Sequence, residues 1–195
     1  IPAHSVYASA TANLVISDSE FGVTGTNNVK AENKGKITLN DTVIQGTDKN
    51  HGLIVENSGN IYGKNITVRN TAGAAVRVKT TADGSYVEID GLVTENIGTH
   101  NIYINKDKDA GNVGGVLVKN GDLCRTGTHN VQAEAGNLTL IDTQIQGHTS
   151  GTANNIHAVY VSNKVEKVDL EGVTVLDAAG DALRIAAGDV QSVGF

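Results

Sequence analysis

Along this chain one short phrase recurs seven times: a small or polar residue, an apolar one, any residue, and an apolar one again. It reads Asn28-Val29-Lys30-Ala31, Gly52-Leu53-Ile54-Val55, Ala75-Val76-Arg77-Val78, Asn101-Ile102-Tyr103-Ile104, Asn130-Val131-Gln132-Ala133, Ala158-Val159-Tyr160-Val161 and Ala182-Leu183-Arg184-Ile185. The first apolar positions are 24, 23, 26, 29, 28 and 24 residues apart, the spacing of one supersecondary unit repeated along a solenoid.

Two further apolar pairs keep step with the first. The second runs Leu14/Ile16, Ile37/Leu39, Ile61/Gly63, Val87/Ile89, Val116/Val118, Leu138/Leu140 and Val168/Leu170. Each is followed by a corner residue that tolerates left-handed or turn backbone: Asp18, Asp41, Asn65, Gly91, Asn120, Asp142 or Gly172. Directly after the corner stands the third pair: Ser19/Phe21, Thr42/Ile44, Ile66/Val68, Leu92/Thr94, Gly121/Leu123, Thr143/Ile145 and Val173/Val175.

Each unit therefore predicts three short strands of period two, with the paired residues on one face and the residue between them on the other. Of the 42 paired positions 36 are apolar, whereas only 8 of the 21 intervening ones are apolar or Tyr, so the pairs are assigned to the interior. The fold expected is an all-β, right-handed, three-sided parallel β-helix of about seven coils, the hand taken by analogy with known three-sided helices. Stacked at the spacing of neighbouring strands, seven coils make a rod roughly 30 Å long.

Composition agrees and sharpens the picture. The 195 residues include 23 Gly, one Pro and no Trp, which suits a solenoid of stacked aliphatic side chains and permissive corners. No composition shift divides the chain, so we expect one domain: residues 1–13 as a lead-in, 14–187 as seven coils and 188–195 as the start of an eighth. A net charge of -6, with no cluster of Lys and Arg along any face, argues against nucleic acid as the main partner. Apolar runs of about four residues exclude a membrane span. With no secretory signal and no initiator Met, the chain is expected to be a piece of a longer rod, or to be capped by neighbours. Cys124 is the single cysteine and reads as a small corner residue rather than a reactive thiol, while the sequons at Asn40, Asn65 and Asn137 share no repeat position.

The repeat resembles the right-handed parallel β-helix of the pectin-lyase-like superfamily over nearly the whole chain. The segment from Gly35 to Gly46, followed by His51-Gly52-Leu53-Ile54-Val55-Glu56-Asn57-Ser58-Gly59-Asn60-Ile61, looks most like pertactin-type autotransporter passengers. That resemblance implies a non-enzymatic bacterial passenger, secreted or held at the cell surface, that binds a host cell-surface protein or glycan as an adhesin or released ligand. It also implies that the outer membrane is met only through a C-terminal translocator missing from this sequence.

Candidate chemistry lies in columns. Two residues before the first pair stand Asn27, His51, Ala74, His100, His129, His157 and Asp181. His100, His129 and His157 fall on adjacent coils, and imidazoles so spaced are candidate metal ligands, but a capping ladder along the corner is the expected arrangement; no cofactor is expected. Asn50-His51-Gly52 resembles the Gly-His-Gly strand of polygalacturonase-type hydrolases, and Val76-Arg77-Val78-Lys79-Thr80 their Arg-Ile-Lys strand, which binds the substrate carboxylate. The acids that inverting hydrolysis needs have no counterpart, Asn27 and Asn28 standing in their place. A calcium-dependent lyase is disfavoured because the outward acids Glu88, Asp122 and Asp169 are scattered.

What remains is surface. The column inside the first pair contains Lys30, Ile54, Arg77, Tyr103, Gln132, Tyr160 and Arg184, and the mix of Ile54, Tyr103 and Tyr160 with Arg77 and Arg184 is the one enriched at protein interfaces. This face, with the loops Thr80 to Ser85, Lys106 to Val113 and Gly147 to Asn155, is the expected recognition surface. A polysaccharide-processing β-helix and a passive stalk are the rival readings.

Overall fold

The structure, a computed structural model, describes residues 3–47, 49–106, 111, 113–147, 156–162, 164–186 and 192–194. Among them are 19 strands and no helix. The first apolar pairs form an eight-stranded parallel sheet of β1 (Val6–Ala8), β3 (Val29–Ala31), β5 (Leu53–Val55), β7 (Val76–Thr80), β9 (Ile102–Lys106), β12 (Val131–Ala133), β15 (Val159–Val161) and β18 (Leu183–Ile185). Its register sets Val29, Leu53, Val76, Ile102, Val131, Val159 and Leu183 one above another, as the repeat requires.

The second and third pairs were expected on separate sheets, and here the structure differs. They share one 11-stranded parallel sheet. In β2 (Asn13–Phe21), β4 (Lys36–Gln45), β6 (Asn60–Thr71) and β8 (Ser85–Ile97) one strand runs through the corner. Further along, it separates into β10 (Gly114–Lys119) and β11 (Asp122–Leu123), then β13 (Gly136–Ile141) and β14 (Gln144–Gln146), then β16 (Val165–Glu171) and β17 (Thr174–Leu176). β19 (Ser192–Gly194) pairs with β16.

The corner residue explains the merger. All seven members of the corner column adopt positive φ, from 46° at Asp41 to 79° at Gly91. A single left-handed residue bends the strand without consuming enough chain to interrupt the ladder on either side. Immediately after the bend, the hydroxyls of Ser19, Thr42 and Thr143 donate to the carbonyl two residues back, at 2.8, 2.8 and 3.0 Å. Three of the polar residues at inward positions are thus satisfied by the bend itself. A fourth, Thr94, accepts the Cys124 N–H at 2.8 Å.

The result is an all-β parallel solenoid of about six turns. Its interior is a stack of aliphatic side chains, with Ile37, Leu39, Leu53, Ile61, Ile89, Ile102, Ile104, Leu123 and Leu138 wholly buried. The stack thins at both ends: Leu14, Ile16 and Phe21 on the first rung and Leu170, Val173, Val175 and Leu183 on the last are only partly covered. Asn28, Asn101 and Asn130 are also buried and tie down the remaining corner, donating to Gly22 O, Cys124 O and Gln146 O at 2.8, 2.5 and 2.9 Å.

Candidate functional site

On the outer face of the eight-stranded sheet the strand register lines up Tyr7, Lys30, Ile54, Arg77, Tyr103, Gln132, Tyr160 and Arg184. Tyr7 enters this column because β1 is a further rung, inside the segment read as a lead-in. Its signal was present in the sequence, since Ser5-Val6-Tyr7-Ala8 repeats the phrase 23 residues before Val29. His4 likewise joins the histidine column, stacking on Tyr7 at 5.6 Å with Nδ1 2.7 Å from Asn27 O.

The column is not uniformly open. Ile54, expected as an exposed apolar group, is only 3% exposed. Charged side chains of the neighbouring rungs close over its rung: Lys30 from one side and Lys79 from the other both reach Glu56, at 2.5 and 2.8 Å. Burial pushes Glu56 up, but the two ammonium groups outweigh it and bring the carboxyl down to about 2. Ile54 therefore lies beneath an ion-paired cover.

One rung on, the structure brings His51 and Arg77 together, with Arg77 Nη1 2.8 Å from His51 Nε2 and Arg77 Nε donating to Asn105 Oδ1 at 3.1 Å. On its other side, His51 Nδ1 accepts the Ala74 N–H at 3.0 Å. Burial, followed by the charges of Arg77 and Lys79, lowers the imidazole to about 4, so the ring is neutral near pH 7. A neutral imidazole has one acceptor nitrogen. Two donors face it, and whichever tautomer forms, one of them is left without a lone pair. Glu56, the charged acid of this cluster, is held ionised by lysines and supplies no general acid beside His51.

The histidine column is a capping ladder. Asn27 Oδ1 accepts the His51 N–H at 3.2 Å, His129 Nδ1 that of His157 at 2.9 Å, and His157 Nδ1 that of Asp181 at 3.1 Å. The His129 and His157 rings stack at 5.2 Å with 6° between their planes. Stacked rings whose Nδ1 atoms are occupied by backbone donors do not converge on a point, and His100 turns its Nε2 to Gln132 instead. Among the described residues no group of His, Cys, Asp and Glu is placed to hold a metal ion. Burial lowers both His100 and His129, the latter further through the charges of its neighbours His157 and His100.

Further along, Tyr103 stacks on His100 at 4.8 Å, receives the Arg77 guanidinium 5.3 Å from its ring centre, and donates to Glu134 Oε2 at 3.0 Å. Burial and the Glu134 charge push its hydroxyl up to about 12. Gln132 donates to Glu134 Oε1 at 2.6 Å. Tyr160 stacks on His129 at 4.7 Å. Beside it opens a cleft of about 480 Å³ lined by Lys106, His129, Gln132, Glu134, Tyr160, Ser162 and Lys164. Neither lysine forms an ion pair among the described residues. Arg184 lies on the last rung, exposed, with Nη1 3.4 Å from Asp181.

Of the expected loops, Thr80 to Ser85 is described and bridges Thr81 to Val113, while residues 107–110, 112 and 148–155 of the other two lie outside the described residues. Cys124 is a free, half-buried thiol that donates to Asn101 Oδ1 at 3.7 Å, a structural contact within the corner. Compared with known protein families, curated proteins and solved structures, the chain matches none.

Proposed function

We propose that this chain is a non-enzymatic recognition segment of a pertactin-type passenger within the pectin-lyase-like superfamily, secreted or displayed on a bacterial surface. Its outward eight-stranded face binds a host-cell receptor or surface glycan. The observation that carries the reading is the cleft beside Tyr160, where an aromatic ring, two lysines, an amide and a carboxylate meet on a rigid parallel sheet. Such a mixture supplies stacking, charge and directional hydrogen bonds together. The neighbouring His51 and Arg77 pair, with Glu56 committed to two lysines, offers binding groups rather than an acid and base pair.

The test incubates labelled protein with mammalian cells and with a panel of acidic polysaccharides, recording binding and bond cleavage together. Saturable binding without cleavage is expected. Tyr103→Ala combined with Tyr160→Ala should weaken it about tenfold or more, a loss of roughly 1.4 kcal/mol. Cleavage of any glycan overturns the proposal in favour of a polysaccharide-processing enzyme, and absence of any saturable partner overturns it in favour of a passive stalk.

A further inference from the structure

A second depression lies on a different face, on the first leg of the bent sheet. The outward column there runs Asn60, Tyr86, Gly115, Asn137, and beside it runs Tyr62, Glu88, Leu117, Thr139. Gly115 is the one position in this stretch that presents no side chain, and the gap in the column leaves a notch of about 300 Å³. Its floor is the Gly115 backbone. Tyr86, 40% exposed, forms one wall and Asn137 the other. Those walls are two rungs apart, roughly 10 Å. Leu117 lies along one side, and Glu88 and Thr139 stand at the rim. The vacancy is fixed by the fold: a Cβ on Gly115 would come within 2.3 Å of the Asn137 carbonyl oxygen, so the register tolerates only glycine here.

The groups around the notch have unused capacity. No hydrogen bond engages the Asn137 amide or the Thr139 hydroxyl among the described residues, and Glu88 meets only Lys119, at 3.9 Å. An aromatic face and a leucine methyl on one side, with an amide, a hydroxyl and a carboxylate around the rim, match a molecule with an apolar C–H face and a circumference of hydroxyls.

We propose that this notch binds one neutral pyranose residue of a glycan, stacked on Tyr86 and Leu117, with its hydroxyls donating to Glu88 and exchanging hydrogen bonds with Asn137 and Thr139. The charge at the rim decides the class. Glu88 carries the charge among the lining residues and its partner Lys119, 3.9 Å away, stands outside the lining, so the notch presents a carboxylate rather than a cation to the sugar, which favours a neutral ring over a uronic or sulfated one. An aromatic peptide side chain would fill the space but leave Asn137, Thr139 and Glu88 desolvated without partners, a cost that hydroxyls avoid. This site is separate from the cleft beside Tyr160 and stands whether or not that cleft binds anything.

The experiment titrates the whole chain with neutral gluco-, galacto- and manno-oligosaccharides, with oligogalacturonate, and with a Trp-containing peptide, following the Tyr ring resonances by NMR. Saturable binding of at least one neutral oligosaccharide is expected, with the largest shift at Tyr86. Tyr86→Ala should weaken it about tenfold, while Tyr160→Ala leaves it unchanged. Tyr86 is exposed, so its replacement is not expected to unfold the chain, and Leu117→Lys provides a second variant that fills the notch and should also abolish binding. Binding of no neutral sugar, binding that survives both variants, or preferential capture of oligogalacturonate or the peptide at Tyr86 would each overturn the assignment.

Discussion

At His51 two donors compete for one neutral ring, and the arrangement sets its titration. Removing a cation facing the ring makes protonation easier, so Arg77→Gln is expected to raise the His51 pKa above its value of about 4. Because burial is the leading cause of the depression, the pKa should still fall short of the ordinary 6.5. Imidazole proton shifts followed against pH measure this directly, and an unmoved titration would show that the guanidinium does not act on the ring. Stability follows with a definite sign. The folded ring binds its proton less readily than the unfolded one, so its contribution is complete above about pH 6.5 and is lost as the pH falls towards 4, on the order of 3 kcal/mol at most. His100 and His129 are lowered in the same direction and add to the slope. Glu56 extends the loss from about pH 4.5 down to about 2. Denaturant melts between pH 8 and 4 should therefore show falling stability, with a shallower slope in His51→Asn, where the Asn Oδ1 takes the place of Nδ1 as acceptor of the Ala74 N–H, as Asn27 Oδ1 does for the His51 N–H. An identical slope in the variant would remove His51 from the account.

Within a rung, the element that decides geometry is the bend. Asp41 sits at φ 46° and its Oδ1 accepts from Asn65 Nδ2 at 2.8 Å. A β-branched replacement meets the full steric cost of the left-handed region and loses that bond as well. Asp41→Val should thus destabilise by about 2 kcal/mol, whereas Asp41→Gly, free of the steric cost, should lose less than half of that. Equal losses in the two variants would refute the bend as the constraint. This part of the fold was legible in the sequence because a corner needs a particular backbone, and few residue types supply it. Strand period and inward positions were legible for a similar reason, since alternation is a local property. The merging of two faces into one sheet was not legible, because it depends on hydrogen bonds continuing past the bend, which leave no mark on residue type. Nor was the burial of Ile54, which is produced by Lys30 and Lys79 reaching across from neighbouring rungs to Glu56. The histidine column and its capping role were both legible; which N–H each ring takes, and that His100 turns to Gln132, required coordinates. The notch at Gly115 was visible only as a glycine in a strand, one among many in this chain.

Across the whole molecule, each rung gains its stability from the rungs above and below it, so position along the stack matters as much as residue type. Ile104 is wholly buried in the middle, between the β7 and β12 rungs. An aspartate there has no counter-charge and disturbs both interfaces, so Ile104→Asp should cost about 4 kcal/mol or more. Val175, on the last rung, is only partly buried and can release an aspartate towards water, so the equivalent change should cost well under half as much. Native-state amide exchange offers the same contrast without mutation. Protection should be greatest in β6 to β10 and fall towards β2 and β17, where Leu14, Phe21 and Val175 lack cover on one side. That gradient follows from a stack held by nearest-neighbour terms. Uniform protection from first rung to last, together with equal losses for the two aspartate variants, would instead require a single cooperative core, and the nearest-neighbour description of this solenoid would have to be abandoned.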